Sequence, residues 1–409
     1  MATDKPVLIA GAGIASLLLA HSLRRSNIPF KIFERDASFV YRAQGYRLRL
    51  SAEGLDAIES VLGPETFQRF WDACGKTLGR GFAVLDAITG ETISSRPSAG
   101  PAPPAAPPGT TGPSQALVSR DGKVVGIARG TMRKLFAEGS EEHIEWSKDV
   151  TGYERTPTGV RAIFADGTKS IEGSLLVGGE GIRSKVAKQV SGGRLKVFDT
   201  GARGIHGQAP TGAFKGLGEG VFILKDDTRP EGAISIITNV RPGEMNDPDV
   251  QFGWTMVGRP GVIRPPEGED INAVVGKPVA DIAQRLTQNW HANFKPLFDQ
   301  MNVNEAAFWR ITCSSPSGVP EWPNDARVTV LGDAVHSMTP AGGNGANTAV
   351  RGAALLGRLL GEAGGWKEGL TEAYEREIRV LGSEAVKASY QTAKGEFGIE
   401  IDEERTPVV

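Results

Sequence analysis

Two segments about 320 residues apart share one pattern, and it limits the chain more than any other feature. Val7-Leu-Ile-Ala-Gly11-Ala-Gly13-Ile-Ala-Ser16 is a β-branched apolar run, then glycines, then an Ala/Leu-rich stretch. Val328-Thr-Val-Leu-Gly332-Asp333-Ala-Val-His336-Ser-Met-Thr-Pro340-Ala-Gly-Gly343-Asn-Gly345-Ala346-Asn347 repeats it, with one carboxylate at the end of the run. Each reads as a buried strand, a glycine loop and the start of a helix. In the first segment Gly11 permits the turn and Gly13 lets backbone approach a pyrophosphate, held by helix N–H groups. Phe30–Phe33 alternates as the next strand and closes a βαβ unit, and Glu34 then stands where a carboxylate binds a ribose diol. Arg35 follows it in the same turn and belongs to the same candidate nucleotide site.

The first segment alone does not separate FAD from NAD. Two such segments from distant parts of one chain suit a two-ended cofactor, and FAD has a dinucleotide half and an isoalloxazine half. Asp333 can accept a hydrogen bond from a ribityl hydroxyl. Gly343 and Gly345 let main chain lie against a flat ring, and a helix starting near Ala346 would aim N–H groups at the ring edge that carries negative charge on reduction.

With 409 residues, interleaved domains are the default. A formal net charge of −2 offers no footprint for nucleic acid. Two cysteines make no disulfide framework and suit a reducing cytoplasm. The apolar stretch from Val7 to Ala20 is too short and glycine-broken to span a bilayer. The five histidines lack metal-ligand spacing.

Tyr46–Leu50 alternates, so Arg47 and Arg49 share one face of a strand. Ser51 reads as a helix cap before Leu55–Leu62, and Pro97–Pro113 as a surface loop. A short helix is expected over Thr131–Glu138, and strands over Trp146–Val177. Mainly β structure follows from 200 to 315, with a helix over Val279–Trp290, and helical periodicity returns from Ala346 to about Lys394.

Three stretches in order resemble the single-component, para-hydroxybenzoate hydroxylase-like (group A) FAD-dependent monooxygenases of the fungal, secondary-metabolism type. They are the glycine segment at 11–16, Leu175-Leu-Val-Gly-Gly-Glu180-Gly181-Ile-Arg183-Ser184, and Gly332-Asp333-Ala-Val-His336 through Asn347. The resemblance implies an α/β fold: a Rossmann-like FAD-binding domain with an inserted β-sheet substrate domain and C-terminal helices. The expected division is 1–80, 116–198 and 316–409 for the FAD-binding part, the last with the C-terminal helices. Residues 81–115 supply a substrate-domain strand and the Pro-rich loop, and 199–315 the substrate-binding sheet.

It further implies that Arg129 contacts the cofactor's phosphate or ribose region, and that Arg47 or Arg49 lies along FAD. Pro340 then packs beside the flavin, the Gly343–Gly345–Ala346–Asn347 loop cradles it, and His336 shapes the loop. In Asp199-Thr-Gly-Ala-Arg203-Gly-Ile-His206, Arg203 and His206 are the candidate catalytic residues, although a lone histidine is more often simply satisfied in the fold.

The implied reaction uses NADPH or NADH to reduce FAD, and transfers one oxygen atom of O2 through a flavin C4a-hydroperoxide to an aromatic or polycyclic small molecule. Epoxidation, Baeyer–Villiger insertion, an NAD-dependent dehydrogenase and a flavin-binding regulatory protein stay open, as does oligomeric state. Three positions depart from the family pattern: Ser16 for a glycine, Glu180 for an aspartate, and Gly352 where the helix often has an acid.

Overall fold

The computed structural model describes residues 5–39, 47–78, 82–96, 119–241, 243–266, 268 and 274–409. Tyr46 and the proline-rich stretch at 97–113 lie outside these residues.

A parallel five-stranded sheet carries the nucleotide-binding architecture. Its strands β1 (Val7–Ala10), β2 (Phe30–Phe33), β8 (Ile144–Glu145), β11 (Leu175–Gly178) and β17 (Val328–Val330) lie in the order β17-β11-β1-β2-β8. Because all pairs are parallel, the turns after β1, β11 and β17 open at one edge, where open α/β sheets bind ligands. β1 and β17 are two strands apart, about 10 Å.

Near-continuous apolar strands of this kind must be covered on both faces. One face is covered by α1 (Ile14–Arg25), α2 (Ala52–Leu62), α3 (Pro64–Ala73), α4 (Arg129–Ala137) and α9 (Gly345–Ala363). The hairpin β9 (Val150–Arg155)–β10 (Val160–Phe164), α5 (Lys185–Val190) and α8 (Asp333–His336) cover the other. The expected second helical region is two helices, broken at Gly364 in left-handed conformation (φ 67°); α10 (Leu370–Phe397) follows.

The second large sheet has seven strands, in the order β16-β12-β15-β14-β13-β5-β6. They are β5 (Phe82–Asp86), β6 (Thr92–Arg96), β12 (Val197–Pro210), β13 (Gly220–Asp226), β14 (Ile234–Val240), β15 (Gln251–Gly258) and β16 (Ala307–Ser314). α6 (Lys277–Leu286) and α7 (Pro296–Asp299) bury one face. α6 ends four residues before Trp290, earlier than its apolar pattern suggests; Trp290 instead donates its indole N–H to Asp226 (3.0 Å). A three-stranded sheet, β3 (Arg47–Leu50), β7 (Lys123–Ala128) and β4 (Gly75–Leu78), joins the two, and the Thr77 hydroxyl donates to Asn239 on β14 (2.7 Å).

Among the described residues, no helix is long and apolar enough to cross a membrane.

Candidate active site

The β1–α1 turn is built as its glycines require. Gly11 has φ 85°, and a Cβ there would lie 2.7 Å from the Gly179 carbonyl oxygen, so only glycine fits. Glu34 reaches back from the end of β2, accepting the Ala12 N–H (2.7 Å) and the Asp36 N–H (3.0 Å). Arg133 braces the same turn, its Nε and Nη2 donating to the Ala12 carbonyl at 3.2 and 3.0 Å. Sequence reasoning passed over Arg133; its signal was a buried cation between Met132 and Phe136 on an apolar helix face. Arg35 is exposed and its nearest described charge is Asp36, at 3.8 Å, so it stands apart from the turn's bonding.

The turn after β17 meets the turn after β1. A Cβ on Gly332 would lie 3.4 Å from that of Ala15, which brings Asp333 beside the start of α1. Asp333 keeps open surface, yet protein lies close around its carboxylate. That setting raises its pKa by desolvation, and the positive charge of Arg129, the first residue of α4, opposes the rise.

Gly342 (φ 76°) and Gly343 (φ 64°) are both left-handed, and Gly343 donates to the Pro340 carbonyl (3.0 Å). Helix α9 then starts at Gly345, so the first-turn N–H groups of Gly345, Ala346 and Asn347 point out of the helix end. The Asn347 side chain is spent inside the protein: its Oδ1 accepts the Ser51 N–H (2.8 Å), and its Nδ2 donates to the carbonyls of Arg49 (3.0 Å) and Gly343 (2.9 Å). Only its backbone is left to face a ligand.

The two arginines of β3 part company. Arg49 donates to the Gly342 carbonyl (3.0 Å) and lies against Gly343, so it is the one at the glycine loop. Arg47 bonds the Gly126 carbonyl and meets Arg241 beside Gly75; burial first, then Arg241, pulls its pKa down to about 10.

Glu180 turns inward to cap α5, accepting from the Ser184 hydroxyl (2.7 Å) and the Val186 N–H (3.2 Å). Burial raises its pKa. His336 is fully buried against Gly382 of α10, consistent with a packing role in the loop.

The proposed catalytic pair is not brought together. In regular register Arg203 faces Gly258 and His206 faces Thr255, an offset of three residues that sends the two side chains to opposite faces of the sheet. Arg203 is held by a two-pronged pair with Asp199 (2.7 and 3.0 Å) on the face that carries Ile205 and the helices. His206 is on the other face, buried, with its pKa lowered to about 4 by desolvation, so its ring is neutral at pH 7.

One cross-strand row runs over that face: Ala307, His206, Thr255, Ile237, Ile223, Val84 and Ser94. Toward β16 the face packs on α10 and on Ala341 through Ala202 and Val257. At the opposite side it is tied down by the Thr77–Asn239 bond. The donor set fits FAD: a glycine turn too tight for any Cβ, an accessible carboxylate at a strand end packed beside that turn, and a left-handed glycine loop.

Comparison with known proteins agrees with this geometry. The FAD binding domain family matches residues 268–389. The chain is 30% identical over 390 residues to the dual O-methyltransferase/FAD-dependent monooxygenase elcB of Phaeosphaeria nodorum, covering 87% of this chain but 40% of that protein. It therefore spans about two-fifths of the length of the first curated relatives it matches. It is 28% identical over 377 residues to the aurachin C monooxygenase/isomerase of Stigmatella aurantiaca, covering 88% and 82% of the two chains. In fold it is similar to the crystal structure of a putative FAD containing monooxygenase from Photorhabdus luminescens (TM-score 0.72, 23% identity, 96% and 98% of the two chains).

Proposed function

We propose that the chain is an FAD-dependent monooxygenase that inserts one oxygen atom from O2 into an aromatic or polycyclic small molecule, with NADPH or NADH as reductant. One observation carries this reading: the Gly332–Asp333 turn, from the far end of the chain, packs against Ala15 at the start of α1, just after the Gly11 turn.

FAD, when bound, supplies the electron transfer and the activation of O2. The chain supplies everything else. The Gly11–Gly13 turn and the start of α1 hold the pyrophosphate, Glu34 and Arg129 the ribose and phosphate region, and Asp333 a ribityl hydroxyl. First-turn amides of α9 place positive dipole ends where negative charge develops at the ring edge. The seven-stranded sheet roofs the site and excludes water, which strengthens those dipoles. His206, neutral in this setting, serves as a hydrogen-bond partner for a substrate hydroxyl and not as a resident cation. We read 82–96 and 197–314 as the substrate-binding module and the remainder as the FAD-binding module.

The test is to purify the protein, record its flavin absorbance, and screen aromatic compounds for stimulated NADPH and NADH oxidation with product mass measured. A gain of one oxygen on a substrate supports the reading, and the product's structure separates hydroxylation from epoxidation and ring insertion. Bound FAD with no stimulation by any compound would favour a flavin-binding regulatory role.

A further inference from the structure

The segment from Ser337 to Ala341 is bonded to the seven-stranded sheet at one end and to α10 at the other. Toward the sheet, the Ser337 carbonyl accepts the Ser314 N–H of β16 (2.8 Å), and the Ser337 hydroxyl shares a hydrogen bond with that of Thr312 (3.3 Å). Toward α10, Thr339 Oγ1 lies 2.7 Å from Ser389 Oγ, and Ser389 donates to the Thr339 carbonyl (3.0 Å). Thr339 Oγ1 also accepts the Ala341 N–H (3.3 Å). Both hydroxyl side chains are buried.

The protons can be counted. Ser389 has one, spent on the Thr339 carbonyl, so the 2.7 Å contact is Thr339 donating to Ser389. The lone pairs of Thr339 Oγ1 are then free to accept from Ala341. Both peptide units flanking Pro340 are thus tied to one hydroxyl pair, the first through its carbonyl and the second through its N–H. Pro340 itself has no N–H, and its own carbonyl accepts from Gly343 (3.0 Å). A serine or threonine inside a helix commonly bonds the carbonyl four residues back, as Thr392 of α10 does to Ala388 (2.9 Å). Ser389 instead reaches out of its helix to the loop.

Resting on the oxygenase reading above, with Pro340 packed beside the flavin, we propose that Thr339 and Ser389 are positioning residues, which together set the seat of the Pro340 ring against the cofactor. Their side chains are buried in protein and act through the two peptide units they hold.

The experiment compares FAD-loaded wild type with Thr339→Val, Thr339→Ser, Ser389→Ala and the Thr339→Val/Ser389→Ala double variant. Thr371→Val is the control. Thr371 is a buried threonine of the same helix, bonded to Asn324 (3.1 Å) and about 27 Å from Ser389 along the helix axis. The readouts are the absorbance and fluorescence of bound flavin, the flavin released on dilution, and the urea midpoint. Thr339→Val keeps the side chain's shape and removes the hydroxyl. It should shift the flavin bands and weaken FAD binding about two- to tenfold, as for one buried hydrogen bond. Ser389→Ala should match it, the double variant should be no worse than the poorer single one, and Thr339→Ser should behave as wild type. Thr371→Val should lower the urea midpoint yet leave the flavin bands and FAD retention unchanged. Unaltered flavin in both Thr339→Val and Ser389→Ala, equal shifts in Thr339→Val and Thr339→Ser, or the same shift in Thr371→Val overturns the inference and leaves the oxygenase reading intact. A wild type that binds no FAD ends the oxygenase reading, and this inference with it.

Discussion

Ser16 and Gly179 face each other across the β1–α1 turn, and a Cβ on Gly179 would overlap the Ser16 Oγ. The space normally given by a third glycine in the helix is here given by the loop after β11. The two positions should therefore be coupled. Gly179→Ala should cost about 1–3 kcal/mol of stability by overpacking. Adding Ser16→Gly should recover part of that, although the Ala10 carbonyl, 3.1 Å from the same Cβ, limits the rescue. Denaturant unfolding of the single and double variants measures the coupling; strictly additive losses would show the two positions to be independent.

Asp333 is an accessible carboxylate just after β17, and Asp333→Ala should yield largely colourless protein. Losing a hydrogen bond to a ribityl hydroxyl weakens FAD binding by about 1–3 kcal/mol, or roughly five- to 150-fold. Asp333→Asn, which keeps an acceptor oxygen, should retain more flavin than the alanine variant. The ratio of flavin to protein absorbance after dialysis decides it, and full occupancy in Asp333→Ala would remove the assignment.

Asn347 joins the end of β3 to the glycine loop through three hydrogen bonds, so its replacement should loosen both at once. Asn347→Ala leaves a buried N–H and two carbonyls short of a partner, at a cost of about 1–3 kcal/mol. Asn347→Asp keeps the acceptor for Ser51 but sets a carboxylate against two carbonyl oxygens, and should fare no better. Thermal unfolding with and without added FAD separates the effect on the scaffold from that on the cofactor site.

What could be read from the sequence followed the range of the interactions involved. The βαβ unit, the Ser51 cap and the glycine loop are set by residues near in sequence. Val7–Ala10, Ile14–Arg25 and Phe30–Phe33 accordingly fall where periodicity puts them, and Ser51 accepts from the Gly54 N–H at 3.1 Å. Choices made by distant partners were not legible. Alternation put Arg47 and Arg49 on one face, but only the packing of Gly343 and Arg241 shows where each guanidinium goes. Arg203 and His206 were both candidates from the stretch that begins the substrate sheet, and they part because in a strand an offset of three reverses the face. Gly352 has a packing explanation that sequence could not give: a Cβ there would sit 2.8 Å from Ile378 and 3.6 Å from the Tyr374 hydroxyl of α10.

His336 gives a prediction in pH. Its ring is fully buried, neither ring nitrogen has a hydrogen-bond partner among the described residues, and burial lowers its pKa to about 4. In the unfolded chain it titrates near 6.5. Above that value the ring is neutral in both states and adds no pH dependence. As pH falls from about 6.5 toward 4, the unfolded chain binds a proton that the folded chain refuses, so stability is lost across this window. One such group accounts for on the order of 3 kcal/mol when the window has been crossed. His21 and His206, also lowered to about 4, act in the same direction, whereas the raised carboxyls of Glu180 and Glu375 act against it. Replacing His336 should therefore flatten the acid limb without abolishing it. Between pH 7.5 and 4.5 the urea midpoint of wild type should fall more steeply than that of His336→Met, because only the wild type carries the histidine's titration. Parallel curves would mean that the ring reaches a proton donor or acceptor in the folded protein.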